Sequence, residues 1–237
     1  MSLAVDAGFR PIRTGNAFEE TVERLLHAIK LGVVTAGERL PAERELALRL
    51  GVSRVTLRDA IRELEHAGYV ESRRGRSGGT FVIYQPTPGA NEIVPALPPR
   101  GSDLEDALTL RSVLECGAAD AAARRELSDD ERRHLVDTLT ECDEAERGAY
   151  RQLDSRLHLA IAEVTGSASL SAAVADVRMR INDLLDQIPV LAPNIEHSRV
   201  QHRTIVDAIL AGDPDAARAA VDEHLQGTAA LLRGFLS

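Results

Sequence analysis

Four residues in the C-terminal half of this chain could together hold a metal ion. Asp154 and His158 are four residues apart, so on a helix both side chains lie on one face. His202 lies ten residues before the Gly212–Pro214 turn, and His224 lies ten residues after it. If that turn joins two antiparallel helices, the two imidazoles stand at the same level, about 15 Å from the turn.

One carboxylate oxygen and three neutral imidazoles suit Zn²⁺, Ni²⁺ or Mn²⁺ better than Ca²⁺, and we expect Zn²⁺. An Asp and a His four apart also occur by chance on many helices, and a single His is usually a structural residue. Spacing alone therefore leaves both interpretations open. His197 lies about 140° around the helix from His202, and His134 has no partner by spacing, so neither joins the set.

A second group of chemically active side chains is a set of arginines in the N-terminal half. A predicted helix begins with Ser53, Arg54, Val55, Thr56 and Arg58, and Arg44 lies in the helix before it. Arg73, Arg74 and Arg76 surround Gly75 in a predicted hairpin turn. Arginines can bind guanine edges bidentately, and a helix N-terminus favours phosphate. The alternative is a solvated helix face on which these arginines pair with Glu45, Asp59 and Glu63.

The elements that would position these arginines form a recognisable order. Apolar residues at helical spacing predict helices at 17–31, 42–50 and 54–67, with Ser53 capping the third. Two β-rich segments, 69–73 and 80–84, flank the Gly/Arg/Ser turn. Helix, short helix, turn, helix and hairpin is the layout of a winged helix-turn-helix domain.

A proline-rich segment separates this region from a helical C-terminal half. Residues 85–102 hold five of the ten prolines. Because proline interrupts a helix and restricts the residue before it, no long helix can cross this segment. After it, helical patterns and their breaks predict six helices, at 103–126, 128–147, 150–165, 167–188, 194–211 and 214–235. The predicted fold is mainly α: a winged helix-turn-helix domain at 1–84, a linker at 85–102 and an all-helical antiparallel bundle at 103–237.

Charge and composition support two parts with different partners. Residues 1–84 carry thirteen Lys and Arg against eleven Asp and Glu, whereas residues 85–237 carry fifteen against twenty-six. No apolar run is long enough to span a bilayer, and no secretory signal is visible, so we expect a cytoplasmic, nucleoid-associated protein without membrane contact. With Cys116 and Cys142 as the only cysteines, a disulfide scaffold is excluded, and both are expected to be buried, inert thiols.

Within Gly37–Val82, the run LPAERELALRLGVSRVTLRDAIRELEHAGYVES, followed by GGTFV, resembles the DNA-binding domain of the GntR family of bacterial transcription factors. The resemblance covers about 65 residues. It implies DNA contacts at Arg44, Arg54, Thr56 and Arg58, with wing contacts near Arg74 and Gly75. Ser53, at the start of the same helix, completes the expected set of DNA-binding residues.

The C-terminal half is similar to the FCD ligand-binding domain of the FadR subfamily within that family. The residues that carry this likeness lie in LDSRLHLAI, HSRVQHRTIVDAILAGD and AAVDEHL. The resemblance implies that Asp154, His158, His202 and His224 are metal ligands. It also implies that Arg111 and Glu115 line an effector cavity, the arginine pairing with an acidic effector. The alternative for that pair is an ordinary surface ion pair. Arg178 and Asn182 are further candidates for the cavity.

Together these features predict a transcriptional regulator rather than an enzyme. We expect a homodimeric repressor that binds a short palindromic operator in double-stranded DNA and responds to a small carboxylate effector at the metal. One alternative makes the metal ion itself the signal. Another is a metal-dependent hydrolase with a DNA-targeting head, for which no convincing general base stands at the right helical phase.

Overall fold

The computed structural model of the protein describes residues 15–30, 34–75, 78–84 and 101–236. Contacts divide the chain into two compact units: residues 1–98 together with 230–237, and residues 99–229. The predicted linker at 85–102 lies outside the described residues except for its last two positions, which belong to a helix. The predicted wing residue Arg76 also lies outside them.

The described part of the first unit contains three helices followed by two strands. They are α1 (Ala17–Lys30), α2 (Glu43–Leu50), α3 (Arg54–His66), β1 (Val70–Arg73) and β2 (Gly79–Val82). Each helix buries one apolar stripe, and the fully buried leucines are Leu25, Leu26, Leu46, Leu50, Leu57 and Leu64. The predicted ends of these elements agree with the observed ones to within two residues.

A tight turn between α2 and α3 brings the start of α3 to the surface. Gly51 ends α2 with a left-handed φ of 70°, a conformation that glycine adopts without steric cost. Ser53 then caps α3, because its Oγ accepts the backbone N–H of Thr56 at 3.0 Å. The first residues of α3, Arg54 and Val55, are exposed as a result.

The two strands form an antiparallel hairpin, the wing, in which Val70 lies opposite Val82 and Arg73 lies opposite Gly79. The segment 37–40 pairs along the other side of β2. Leu40 N–H donates to the carbonyl of Thr80 at 2.8 Å, and Arg39 pairs with Phe81. This third segment was not predicted, because GERL shows no alternation of apolar and polar residues.

Six further helices follow in the described part of the chain: α4 (Gly101–Ala123), α5 (Asp129–Asp143), α6 (Arg147–Glu163), α7 (Ala168–Leu185), α8 (Ala192–Ala211) and α9 (Pro214–Leu236). Their number was predicted, and their ends differ from the predicted ones by at most four residues. The mainly helical fold expected from the sequence is thus confirmed. Over the ranges described, no helix combines the length and the apolar character needed to span a bilayer.

Local capping chemistry explains where these helices begin and end. Ser128 and Glu131 form a reciprocal capping box at the start of α5, with Glu131 Oε2 accepting the Ser128 N–H at 2.8 Å. Gly212, with a φ of 70°, ends α8. Asp213 Oδ1 accepts the Ala216 N–H at 3.0 Å, and Pro214 opens α9. The turn between α8 and α9 is therefore only two residues long.

Both cysteines are buried and unpaired. Burial raises the pKa of each thiol, that of Cys142 to about 12, so both stay protonated at neutral pH. A protonated, buried thiol is a poor nucleophile. The burial that the sequence suggested for both cysteines is thus observed.

Candidate functional site

The structure brings together the four side chains that the sequence singled out as candidate metal ligands. Asp154 and His158 come from α6, His202 from α8 and His224 from α9, and all four are buried. One ligand atom from each lies within 4.8 Å of the others. Nε2 of His202 is 3.3 Å from both Nε2 of His224 and Oδ1 of Asp154. Nε2 of His158 is 3.9 Å from the same oxygen.

The other nitrogen of each imidazole is occupied by a neighbouring side chain. His158 Nδ1 lies 2.7 Å from Oε2 of Glu115, and His224 Nδ1 lies 3.1 Å from Oε1 of Gln201. His202 Nδ1 is 3.8 Å from Sγ of Cys142. Such partners orient a ring and fix which nitrogen carries the proton. The three Nε2 atoms therefore face one another around Asp154.

The charge states of Asp154, His158 and His224 are those that a metal ion requires. Burial holds the pKa of His224 well below its usual range, and the two neighbouring imidazoles push it further down. Burial also lowers the pKa of His158, against the opposing effect of Glu115. Although burial acts to raise the pKa of Asp154, the Arg178 guanidinium keeps it well below the usual value. Asp154 is therefore a carboxylate, and His158 and His224 are neutral imidazoles.

A network of ion pairs and hydrogen bonds lies beside the cluster and contains the four residues predicted to bind an effector, of which Arg111, Glu115 and Arg178 are buried and Asn182 is half-buried. Arg111 Nε donates to Oε1 of Glu115 at 3.1 Å, and Arg178 donates to Oδ2 of Asp154. Arg178 and Asn182 also donate to Ser155 Oγ, each at 3.0 Å. The alternative that Arg111 and Glu115 form a surface pair is wrong, because the side chains are only 2% and 3% exposed. Their i, i+4 spacing predicted that the two side chains could pair, but it did not reveal that the pair is buried.

Several donors of this network lack an acceptor. Within the described ranges, Nη1 of Arg111 and both Nε and Nη1 of Arg178 are buried without a hydrogen-bond partner. The nearest carboxylate to Arg178 Nη1 is Oε1 of Glu115, at 3.9 Å. Buried guanidinium groups with unused donors are the usual means of binding a carboxylate.

The residues predicted to contact DNA lie at the surface of the first unit or close to it. Arg44, Ser53, Arg54, Arg58, Arg74 and Gly75 are exposed, and Thr56 is half-buried. The hydroxyls of Ser53 and Thr56 lie 2.8 Å apart, so each has a partner within the helix cap. Arg58 forms an ion pair with Glu43 at 3.1 Å. Arg44, Arg54 and Arg74 have no ion pair with any residue the structure describes.

A cleft of about 470 Å³ lies between α2, the start of α3 and the wing. Its charged lining consists of Arg39, Arg44, Arg54, Arg73 and Glu43. Gly75, Gly78 and Gly79 line the wing side. Sequence reasoning did not single out Arg39, although it directly precedes Leu40–Pro41 at the start of the recognised run.

Comparison with known proteins identifies both halves. The model for "Bacterial regulatory proteins, gntR family" matches residues 18–82, and the FCD domain model matches residues 106–227. The chain belongs to the GntR family. Its arrangement, a GntR helix-turn-helix domain followed by an FCD domain, is that of the FadR subfamily.

Relatives of this GntR-family protein match it along most of its length. It is 32% identical to the "Putative L-lactate dehydrogenase operon regulatory protein" of Escherichia coli (strain K12), over 92% of this chain and 86% of the relative. It is 28% identical to the Exu regulon transcriptional regulator of Escherichia coli (strain K12), over 91% and 84%. These relatives are transcriptional regulators, not enzymes, and they speak against the hydrolase alternative.

Two solved structures are similar to the chain along most of its length. E. coli McbR/YncC is 21% identical, covers 91% of this chain and 96% of its own, and superposes with a TM-score of 0.50. Streptococcus agalactiae GntR is 27% identical and covers 90% and 98%, with a TM-score of 0.47. The protein is thus a GntR/FCD transcriptional regulator with a buried Asp/His cluster in its FCD domain.

Proposed function

We propose that this regulator is a repressor whose affinity for its operator is controlled by a small organic acid bound at a divalent metal ion in the FCD domain. The observation that supports it most directly is the convergence of Asp154, His158, His202 and His224 beside arginines with unused donors. The four side chains would hold the metal, and the arginines would bind the acid.

The donor set fits a metal ion. Nε2 of His158 is buried and has no hydrogen-bond partner in the described part of the chain. Nε2 of His202 and Nε2 of His224 face each other at 3.3 Å, while their Nδ1 atoms have other partners. Two lone pairs at that distance repel each other unless a proton or a cation shares them. Three imidazoles and one carboxylate favour Zn²⁺, with Ni²⁺ and Mn²⁺ as further candidates.

The acid would bind between the metal ligands and the buried arginines. When bound, the ion supplies positive charge and a coordination position for a carboxylate oxygen. Nη1 of Arg111 and the unused donors of Arg178 would bind the remaining oxygens of the acid. Glu115 holds Arg111 in place, and Arg178 and Asn182 share Ser155 Oγ as their acceptor. We propose L-lactate as the first candidate, because the Escherichia coli relative is named for an L-lactate dehydrogenase operon.

The first unit would bind the operator as one half of a homodimer. Arg54, at the start of α3, would enter the major groove, with Arg44 beside it and Arg74 and Gly75 on the wing. Two such units would match the two halves of a short palindrome. The acid can change operator affinity only by binding one conformation of the dimer more tightly than the other.

Titration of operator binding tests this proposal. Fluorescence anisotropy would follow binding to a labelled duplex from the promoter region of the protein's own locus. Three samples are compared: protein stripped of metal by a chelator, protein loaded with Zn²⁺, and Zn²⁺-loaded protein with L-lactate or another small hydroxy acid. We expect one acid to weaken binding only when metal is present. An acid effect that persists after complete chelation would contradict the metal-centred scheme.

A second candidate function makes the metal ion the signal. Four protein ligands already complete a tetrahedral set without any acid, which favours this reading. In that case Zn²⁺ alone would change operator affinity, and no acid would change it further at saturating metal. The same titration separates the two candidates.

A further inference from the structure

The cleft between the wing and helices α2 and α3 carries more positive charge than the predicted DNA contacts account for. Four arginines face it, and Glu43 is the one acidic residue in its lining. Glu43 pairs with Arg58, and Arg73 pairs with Glu71 at 3.1 Å. Arg39, Arg44 and Arg54 have no ion pair within the described ranges. Three uncompensated cations around one concave surface attract an anion.

Arg39 reaches this cleft because of how the wing is built. The segment 37–40 pairs with β2, which places Arg39 opposite Phe81. Gly79 is two residues from Phe81 on the same strand, so both lie on the same face of the sheet. A Cβ atom on Gly79 would overlap Nε of Arg39. The side chain of Arg39 therefore lies directly over Gly79. Any residue with a Cβ atom at position 79 would collide with this side chain.

Arg73 completes this face of the wing. It lies opposite Gly79 in the sheet, and its guanidinium stacks over the ring of Phe81 at 4.6 Å. The stacking and the ion pair with Glu71 hold Arg73 in place. Arg39, on the same face, has no ion pair with any residue that the structure describes.

We propose that Arg39 binds a phosphate of the DNA backbone in this cleft, as a contact additional to those of the recognition helix and the wing tip. The inference rests on the proposed operator binding. Arg39 extends from a sheet edge rather than from the first turn of α3, the part that reads bases in the major groove. A guanidinium at that position meets the sugar-phosphate backbone beside the groove and can bind it bidentately.

Salt-dependent binding distinguishes a phosphate contact from a base contact. A phosphate contact contributes about 0.9 to the slope of log Kobs against log salt concentration and acts on every sequence alike. Arg39→Met keeps the aliphatic stem over Gly79 and removes the charge, whereas Arg39→Lys keeps the charge. Arg133→Met is a matched control, because Arg133 is an exposed arginine of α5 paired with Asp130.

Full-length variants would be titrated with the operator and with a random duplex between about 50 and 200 mM salt. We expect Arg39→Met to weaken binding to both duplexes about tenfold and to lower the slope by about one. Arg39→Lys should keep the slope, and Arg133→Met should match the wild type. Should Arg39→Met lose the native melting transition, Arg39→Gln takes its place.

Two results would overturn the inference: an unchanged slope in Arg39→Met, or a loss confined to the operator. Arg54→Ala shows whether the underlying function holds. If Arg54→Ala abolishes operator preference while Arg39→Met behaves as wild type, only the phosphate contact is refuted. If neither change affects binding, the assignment of the DNA-binding surface fails as a whole.

Discussion

Nδ1 of His158 lies 2.7 Å from Oε2 of Glu115, and both side chains are buried. The negative charge so close to Nδ1 favours the tautomer with its proton on Nδ1, which leaves the lone pair on Nε2, on the side of Asp154. Glu115 is held in turn by Arg111, whose Nε donates to its other oxygen. Glu115 thus orients a candidate metal ligand in addition to lying among the predicted effector residues.

This arrangement predicts that Glu115→Gln weakens metal binding. An amide cannot supply the negative charge that makes His158 a strong ligand, so we expect metal affinity to fall about 10–100-fold. The change also leaves Arg111 buried beside a neutral group, so stability should fall as well. Competition with a chromogenic chelator measures the affinity on folded protein. Glu126→Gln, at an exposed position after α4, serves as the control.

Removing two of the candidate ligands should remove the metal. In His202→Ala with His224→Ala, only Asp154 and His158 remain, and two ligands do not retain a Zn²⁺ ion through purification. We expect bound metal, measured by elemental mass spectrometry, to fall to near zero. His134→Ala should keep full occupancy, because His134 is exposed and paired with Glu163. Full occupancy in the double variant would show that the ligand set is wrong.

Helical arithmetic was sufficient to pair Asp154 with His158 and His202 with His224, whereas the resemblance to the FCD domain implied that the two pairs belong to one site. Residues at i and i+4 share a helix face, and equal distances from a tight turn set His202 and His224 at one level. Each inference uses one helix or one turn, and such local geometry is encoded in the spacing.

The relationships that the sequence did not reveal all depend on packing between distant segments. Arg178 meets Asp154 only because α7 packs against α6, and no local pattern specifies which residues face each other there. Arg39 reaches the cleft only because 37–40 pairs with β2. Arg111 and Glu115 show ordinary surface spacing, and their burial follows from the helices that cover them.

The unused donor of Arg111 predicts a specific defect in effector response. Arg111→Met removes the guanidinium but keeps a side chain of similar length, so the acid should lose one charge-assisted interaction. We expect the acid concentration for half-maximal release of operator to rise about tenfold or more. Because the change also leaves Glu115 buried without this ion pair, stability should fall, so the acid response is compared on folded protein at equal operator saturation. Arg156→Met, at an exposed residue paired with Glu141, is the matched control. An unchanged acid response in Arg111→Met would remove this arginine from the effector site.

The capping box of α5 gives a prediction about pH. Hydrogen bonds from the Ser128 backbone, together with Arg125 and the Ser128 hydroxyl, lower the pKa of Glu131 to about 2. Because this folded-state value lies below the ordinary value of 4.5, the carboxylate stabilises the fold fully above pH 4.5. That contribution is lost as the pH falls from 4.5 towards 2.

Glu131→Gln isolates this charge, because glutamine can still complete a capping box. Urea denaturation followed by circular dichroism should show a lower midpoint for Glu131→Gln than for wild type at pH 7. The difference between the two midpoints should shrink steadily below pH 4.5, as the wild-type carboxylate becomes protonated. If the difference between the two midpoints stayed constant down to pH 3, the effect of Glu131 on stability would come from the packing of its side chain and not from its charge.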